Sequence, residues 1–147
     1  MFTRQLQAEV EQLSRTFPVI SITGPRQSGK TTLCKMVFPQ YYYINLEQES
    51  VRQTIQANPV AYLKQFPSGV ILDEAHYLPE VFSAIQVLVD EDKSRRFVLS
   101  GSSNFLLLQN ISQSLAGRVA ILRLLPFSLH ELGTIATPLS TDTLLLR

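Results

Sequence analysis

Eight consecutive residues, Gly24-Pro25-Arg26-Gln27-Ser28-Gly29-Lys30-Thr31, fit the pattern G-x-x-x-x-G-K-[ST], and each residue type has a job in holding phosphate. Gly24 and Gly29 permit backbone angles and a close approach that a Cβ would forbid, so successive N–H groups can point into one loop. A helix N-terminus behind the loop adds partial positive charge. Lys30 is placed to reach β- and γ-phosphate oxygens, and the Thr31 hydroxyl to ligate Mg²⁺. Pro25, Arg26, Gln27, Ser28 and Thr32 complete the candidate nucleotide-binding set. In 147 residues of ordinary composition an accidental match is expected well under about 1% of the time, so chance is a poor explanation.

A second group is acidic. Asp73 and Glu74 close the apolar run "GVIL", where a strand end in an open α/β sheet would face a ligand. Asp73 suits Mg²⁺, acting through water or from the second shell, because that ion keeps several waters and takes few carboxylates. Glu74 suits activation of an attacking water. With Ala75 and His76 the pair spells a helicase signature. A two-domain helicase motor would need about twice this length, however, and His76 has no required job in phosphoanhydride hydrolysis.

Two further places carry open alternatives. Ser102, Ser103 or Asn104 could hydrogen-bond a γ-phosphate or a lytic water, or cap a helix over "FLLLQ". Arg118 follows Gly117, a helix C′ residue. It could reach a neighbouring subunit's γ-phosphate or complement a helix C-terminus. Arg95 and Arg96, after "DEDK", read as a solvated turn, and Cys34 as a packed thiol.

The elements that must position these groups are legible as alternating runs. Phe2, Leu6, Val10, Leu13 and Phe17 recur at helical spacing, which predicts an opening helix over 1–16. Near-continuous apolar runs at 18–22, 41–46, 69–73, 96–101 and 118–124 predict strands covered on both faces. Helical patterns separate them: 30–38, 48–57, a short piece from Asn58-Pro59, a helix from Pro79, and one over 104–116. Such alternation predicts a parallel α/β sheet with right-handed crossovers. The stretch 133–147 has no usable period and is expected to be a poorly structured tail, as though the chain were cut short there.

Composition excludes other classes. The balance is 13 basic against 12 acidic residues, net +1, so no global field draws the chain to nucleic acid or anionic lipid. No apolar run approaches the roughly 18 to 20 residues that span a bilayer, and the N-terminus lacks signal-peptide character. One cysteine in 147 residues fits a reducing, cytoplasmic setting.

Taken in order, "GPRQSGKTTL", "YINLE", "VILDEAHYLPEVFSAIQVLVDED", "FVLSGSSNFLL" and "SLAGRVAILRLLPFSLHEL" resemble AAA-type ATPases of bacteria and archaea whose P-loop domain precedes a C-terminal domain of unknown function. The resemblance covers residues 17 to about 132. It implies an α/β P-loop NTPase sandwich, its five-stranded parallel sheet in the order 5-1-4-3-2, with helices on both faces. It implies Gly24 to Thr32 as Walker A, Asp73-Glu74 as Walker B, sensor 1 among 102–104, and Arg118 at the finger position of a homo-oligomer. ATP and Mg²⁺ would be substrate and cofactor, with ADP as product and the protein partner unknown. Two alternatives accompany this: a module that binds ATP with little turnover, and a small-molecule kinase, which Glu74 disfavours because it suits water activation better than transfer to an acceptor.

Overall fold

The computed structural model describes residues 4–24, 29–102, 109, 111, 113–124 and 134–138. In chain order these form α1 (Arg4–Thr16), β1 (Val19–Gly24), α2 (Lys30–Val37), β2 (Tyr42–Asn45), α3 (Glu49–Gln56), α4 (Pro59–Lys64), β3 (Val70–Asp73), a 3₁₀ turn (Ala75–Tyr77), α5 (Glu80–Glu91), β4 (Phe97–Ser102), β5 (Val119–Leu124) and β6 (Thr134–Pro138). Five strands are parallel in the spatial order β2-β3-β4-β1-β5, as the resemblance implied. Of the helix expected over 104–116, residues 109, 111 and 113–115 are helical, Ala116 is in a turn, and the rest lies outside the described residues.

The stretch read as a patternless tail contributes β6, which runs antiparallel to β5 with Leu124 opposite Thr134 and Ala120 opposite Pro138. The run "TIATP" does not alternate apolar with polar residues, so no strand period marks it. This strand is defined by the ladder it joins, and its proline sits at the end, where a missing N–H costs the sheet least.

Both faces of β1, β3, β4 and most of β5 are buried, which is why these strands read as unbroken apolar runs. Successive side chains point to opposite faces. Val19, Val70, Leu72, Phe97, Leu99, Val119 and Ile121 pack with α3, α4 and α5 in one cluster. Ile20, Ile22, Ile71, Val98 and Leu122 pack with α1 and α2 in the other. On α5, the helix expected from Pro79, Phe82, Ile85, Leu88 and Val89 form one wholly buried stripe. Large-to-small changes at such sites typically cost about 2 to 5 kcal/mol.

Local signals set the element ends. The Asn58 side chain accepts from the Ala61 N–H at 3.1 Å, with Pro59 in the first helical position, so α4 begins where the sequence predicted. Gly69 has φ 130°, and a Cβ there would lie 2.6 Å from the Tyr41 ring, so only glycine lets β3 start beneath that aromatic. Arg95 and Arg96, expected to be solvated, are instead tied down. The Arg96 guanidinium donates to Ser14 O and Lys93 O, both at 2.7 Å, and Arg95 donates to Lys64 O at 3.2 Å. Backbone carbonyls that end α1 and α4 face these arginines, a partner that sequence spacing does not reveal.

Candidate active site

Parallel pairing puts the carboxyl ends of four strands in line: Gly24 is opposite Ser102, and Asp73 lies between Asn45 and Ser100. The turn from β1 into α2 leaves from this edge. Gly29, with φ 86° and ψ 16°, directly precedes Lys30, the first residue of α2. That left-handed backbone is open to glycine at no steric cost. Lys30 is 5% exposed, and Thr31 follows within the first helical turn. Thr32 is exposed one position on. Pro25, Arg26, Gln27 and Ser28 lie outside the described residues.

The phosphate-loop pattern and the acidic pair, 42 positions apart, meet: the Thr31 hydroxyl donates to Asp73 Oδ2 at 2.9 Å. Two residues that sequence reasoning passed over complete the group. The Tyr43 hydroxyl donates to the same Oδ2, and the Ser100 hydroxyl donates to Oδ1 at 2.6 Å. Alternation explains the convergence. Tyr43, Ile71, Asp73, Val98 and Ser100 all face α2, so two strands and one helix deliver hydroxyls to one carboxylate. Asp73 is only 7% exposed, and a buried carboxylate needs such donors. Burial, and then the bond to Asp73, push the Tyr43 phenol well above its ordinary range, so it stays a protonated donor. The Lys35 ammonium lies 4.0 Å from the centre of the same ring.

Glu74 is set apart from its neighbour by the backbone. It has φ 56° and ψ 51°, and is the one non-glycine with positive φ among the described residues. Such a conformation costs on the order of 1 to 3 kcal/mol and clusters at functional sites. The residue is 9% exposed, and its Oε1 has no hydrogen-bond partner among the described residues. His76, without a role on sequence grounds, sets Nδ1 at 3.7 Å from that oxygen, and its ring packs on Tyr77 with centroids 4.7 Å apart. The strand ends at Asp73, and the left-handed Glu74 and the 3₁₀ turn beginning at Ala75 bring the side chains of positions 74 and 76 close together.

The donor set fits a hard divalent cation. Thr31 and Asp73 offer oxygens only, with a single carboxylate at the junction and a second, Glu74, beside it, as Mg²⁺ prefers. Cys34, on the same face of α2, is fully buried. Its thiol is pushed up to about 12, by burial first and then by Asp73, so it is a packed and unreactive group.

Ser102 ends β4 opposite Gly24; Ser103 and Asn104 lie outside the described residues. Arg118 is not brought to this group. It precedes β5 at the other end of the sheet, its carbonyl accepting from Val19 N–H at 3.2 Å, roughly 16 Å of strand from Gly24. Its guanidinium grips Asp90 with two bonds, 2.8 and 3.0 Å, and donates to Ala116 O at 3.1 Å. The Asp90 carboxyl is held below its usual range by this hydrogen-bonded arginine. Gly117 has φ 82°, consistent with the helix-end position read from the sequence. Among the described residues no helix is long and apolar enough to cross a membrane.

Comparison with known proteins agrees with this geometry. The chain is 34% identical over 135 residues to uncharacterized proteins of Mycobacterium bovis and Mycobacterium tuberculosis, a match that takes in 90% of this chain and 31% of each relative. It thus spans about a third of their length. Among solved structures it is similar in fold to a Walker-type ATPase of Pyrococcus abyssi, with a TM-score of 0.61 and 18% identity over 86% of this chain and 53% of that one. A family model described as an AAA domain matches residues 16–133. The chain belongs to that family, and its doubly covered parallel sheet is an AAA-type P-loop ATPase domain.

Proposed function

We propose that this domain binds ATP with Mg²⁺ and hydrolyses it to ADP and phosphate by in-line attack of a water molecule. The observation that carries the reading is the 2.9 Å bond from Thr31 to Asp73, which joins the phosphate loop to the acidic pair. The start of α2, with Lys30, meets the charge of the β- and γ-phosphates. Thr31 and Asp73 are the residues to hold Mg²⁺, which when bound neutralises charge on the phosphate oxygens. Glu74, its Oε1 unpartnered among the described residues, orients the water and takes its proton. The new P–O bond forms as the bond to the β-phosphate oxygen breaks, and ADP leaves. Ser102, Ser103 or Asn104 supplies the contact to the γ-phosphate.

Glu74→Gln keeps shape and loses the base. Nucleotide affinity should stay within about twofold while turnover falls by about 10² to 10⁴, or roughly 3 to 5.5 kcal/mol of barrier. A variant that turns over at the wild-type rate would remove Glu74 from this role.

One observation favours a second reading, a nucleotide-binding switch with little turnover of its own. Arg118 is engaged by Asp90 at the far end of the sheet, so no arginine from that position reaches the loop of the same chain. In this reading turnover awaits a neighbouring copy that presents Arg118 in trans. A single-turnover assay across protein concentration separates the two, because only the second makes the chemical step concentration-dependent. A cytoplasmic setting and a protein partner of unknown kind complete the proposal.

A further inference from the structure

Three hydroxyls converge on the Asp73 carboxylate, and the reading above uses only Thr31. Oδ2 accepts from both Thr31 and Tyr43, which fills its two lone pairs, while Ser100 occupies Oδ1. A carboxylate held this way has its plane and rotamer fixed before any cation arrives, and its remaining lone pair lies on Oδ1. Tyr43 is suited to fix it. Its ring is anchored by the cluster beneath α2 and by the Lys35 ammonium 4.0 Å from its centre, so the hydroxyl is delivered from a stiff arm with two side-chain torsions. Ser100, fully buried in the middle of the sheet, is equally immobile.

We infer that Tyr43 is a positioning residue for the metal-side carboxylate: its hydroxyl holds Asp73 against Thr31, so that Mg²⁺ enters a preformed arrangement of oxygens. The inference rests on the proposed ATP·Mg²⁺ site and adds to it a residue that touches neither nucleotide nor phosphate. Preorganisation of this kind lowers the concentration of cation needed and leaves the chemistry of the filled site unchanged.

The test is a titration of Mg²⁺ against a fluorescent, non-hydrolysable ATP analogue bound to the whole chain, so that no turnover is required. Tyr43→Phe keeps the ring and its contact with Lys35 and removes one hydroxyl. Losing a hydrogen bond to a charged group corresponds to about a tenfold rise in the Mg²⁺ concentration at half-saturation. Binding in EDTA should be unchanged, and turnover at saturating Mg²⁺ should stay within about twofold of wild type. Ser100→Ala, which frees the other carboxylate oxygen, should move the Mg²⁺ requirement in the same direction and carries the test if Tyr43→Phe does not fold. A merely structural role would lower the melting temperature of Tyr43→Phe and leave its Mg²⁺ requirement at the wild-type value, which overturns the inference. A lowered requirement overturns it as well, because the hydroxyl would then compete with the cation. Wild-type protein that fails to bind the analogue at any Mg²⁺ concentration would sink the ATP site itself, a result distinct from either.

Discussion

The two ends of the sheet are both rich in polar contacts, yet they are built on different terms. At the carboxyl end, Thr31, Tyr43 and Ser100 all donate to one buried carboxylate, and the adjacent Glu74 leaves an oxygen unpartnered among the described residues. At the amino end, Arg118 pairs with Asp90, which is 42% exposed at its side chain, and Arg96 donates to the Ser14 carbonyl in the last turn of α1. Water screens the Arg118–Asp90 pair, so it is worth little by itself. The first set sits in low dielectric, where every polar partner matters to the orientation of the others. The lesson is that polar density alone does not mark a site. What marks it is convergence of donors on one desolvated charge.

Substitutions can break this contrast. The largest expected effect is at the carboxyl end. Thr31→Val removes the hydroxyl that joins loop to acid. Turnover should fall by about a hundredfold or more, with the melting temperature within a few degrees of wild type, because few apolar contacts change. If melting and turnover fell together, the two ends would not be separable. Next is Gly69→Ala, at the amino end of β3. There a Cβ meets the Tyr41 ring at 2.6 Å and φ is 130°, so urea denaturation should show a loss of about 1 to 3 kcal/mol. Nucleotide affinity should hold within about twofold in the folded fraction. The smallest effect belongs to Asp90→Asn, which weakens a pair open to solvent. Thermal unfolding should move by about 1 °C or less. The same variant sharpens the comparison through its kinetics. If Arg118 serves a neighbouring copy, its release should raise turnover at high protein concentration and leave the dilute rate alone.

How much of this was legible beforehand differs by residue, and for physical reasons. Gly24 to Thr31 and Asp73-Glu74 stand out because phosphate chemistry demands particular residue types at fixed spacing. Most of the strands stand out because burial on both faces makes them apolar runs, and β2 stands out by its aromatic and β-branched residues although its burial is partial. The same lack of alternation hides Tyr43 and Ser100. A strand covered on one side alternates, so its faces can be told apart, whereas "YYYINL" and "RFVLSG" give no sign of which residues look toward α2. Register supplies the missing information, and register is a property of the assembled sheet. The partners of Arg95, Arg96 and Arg118 escaped for a related reason. Besides near neighbours, each binds a group distant in sequence: Lys64 for Arg95, Ser14 for Arg96 and Asp90 for Arg118. The strand β6 escaped because its pairing, and not its pattern, defines it.

The backbone at Glu74 has one more consequence. A left-handed conformation at a non-glycine residue stores on the order of 1 kcal/mol or more, and glycine would release it. The position is therefore under opposed pressures, in which a change to glycine relaxes the chain and removes the one side chain proposed to activate water. A screen of variants selected for thermal tolerance alone would drift toward inactivity at this residue, and would report the drift as improvement.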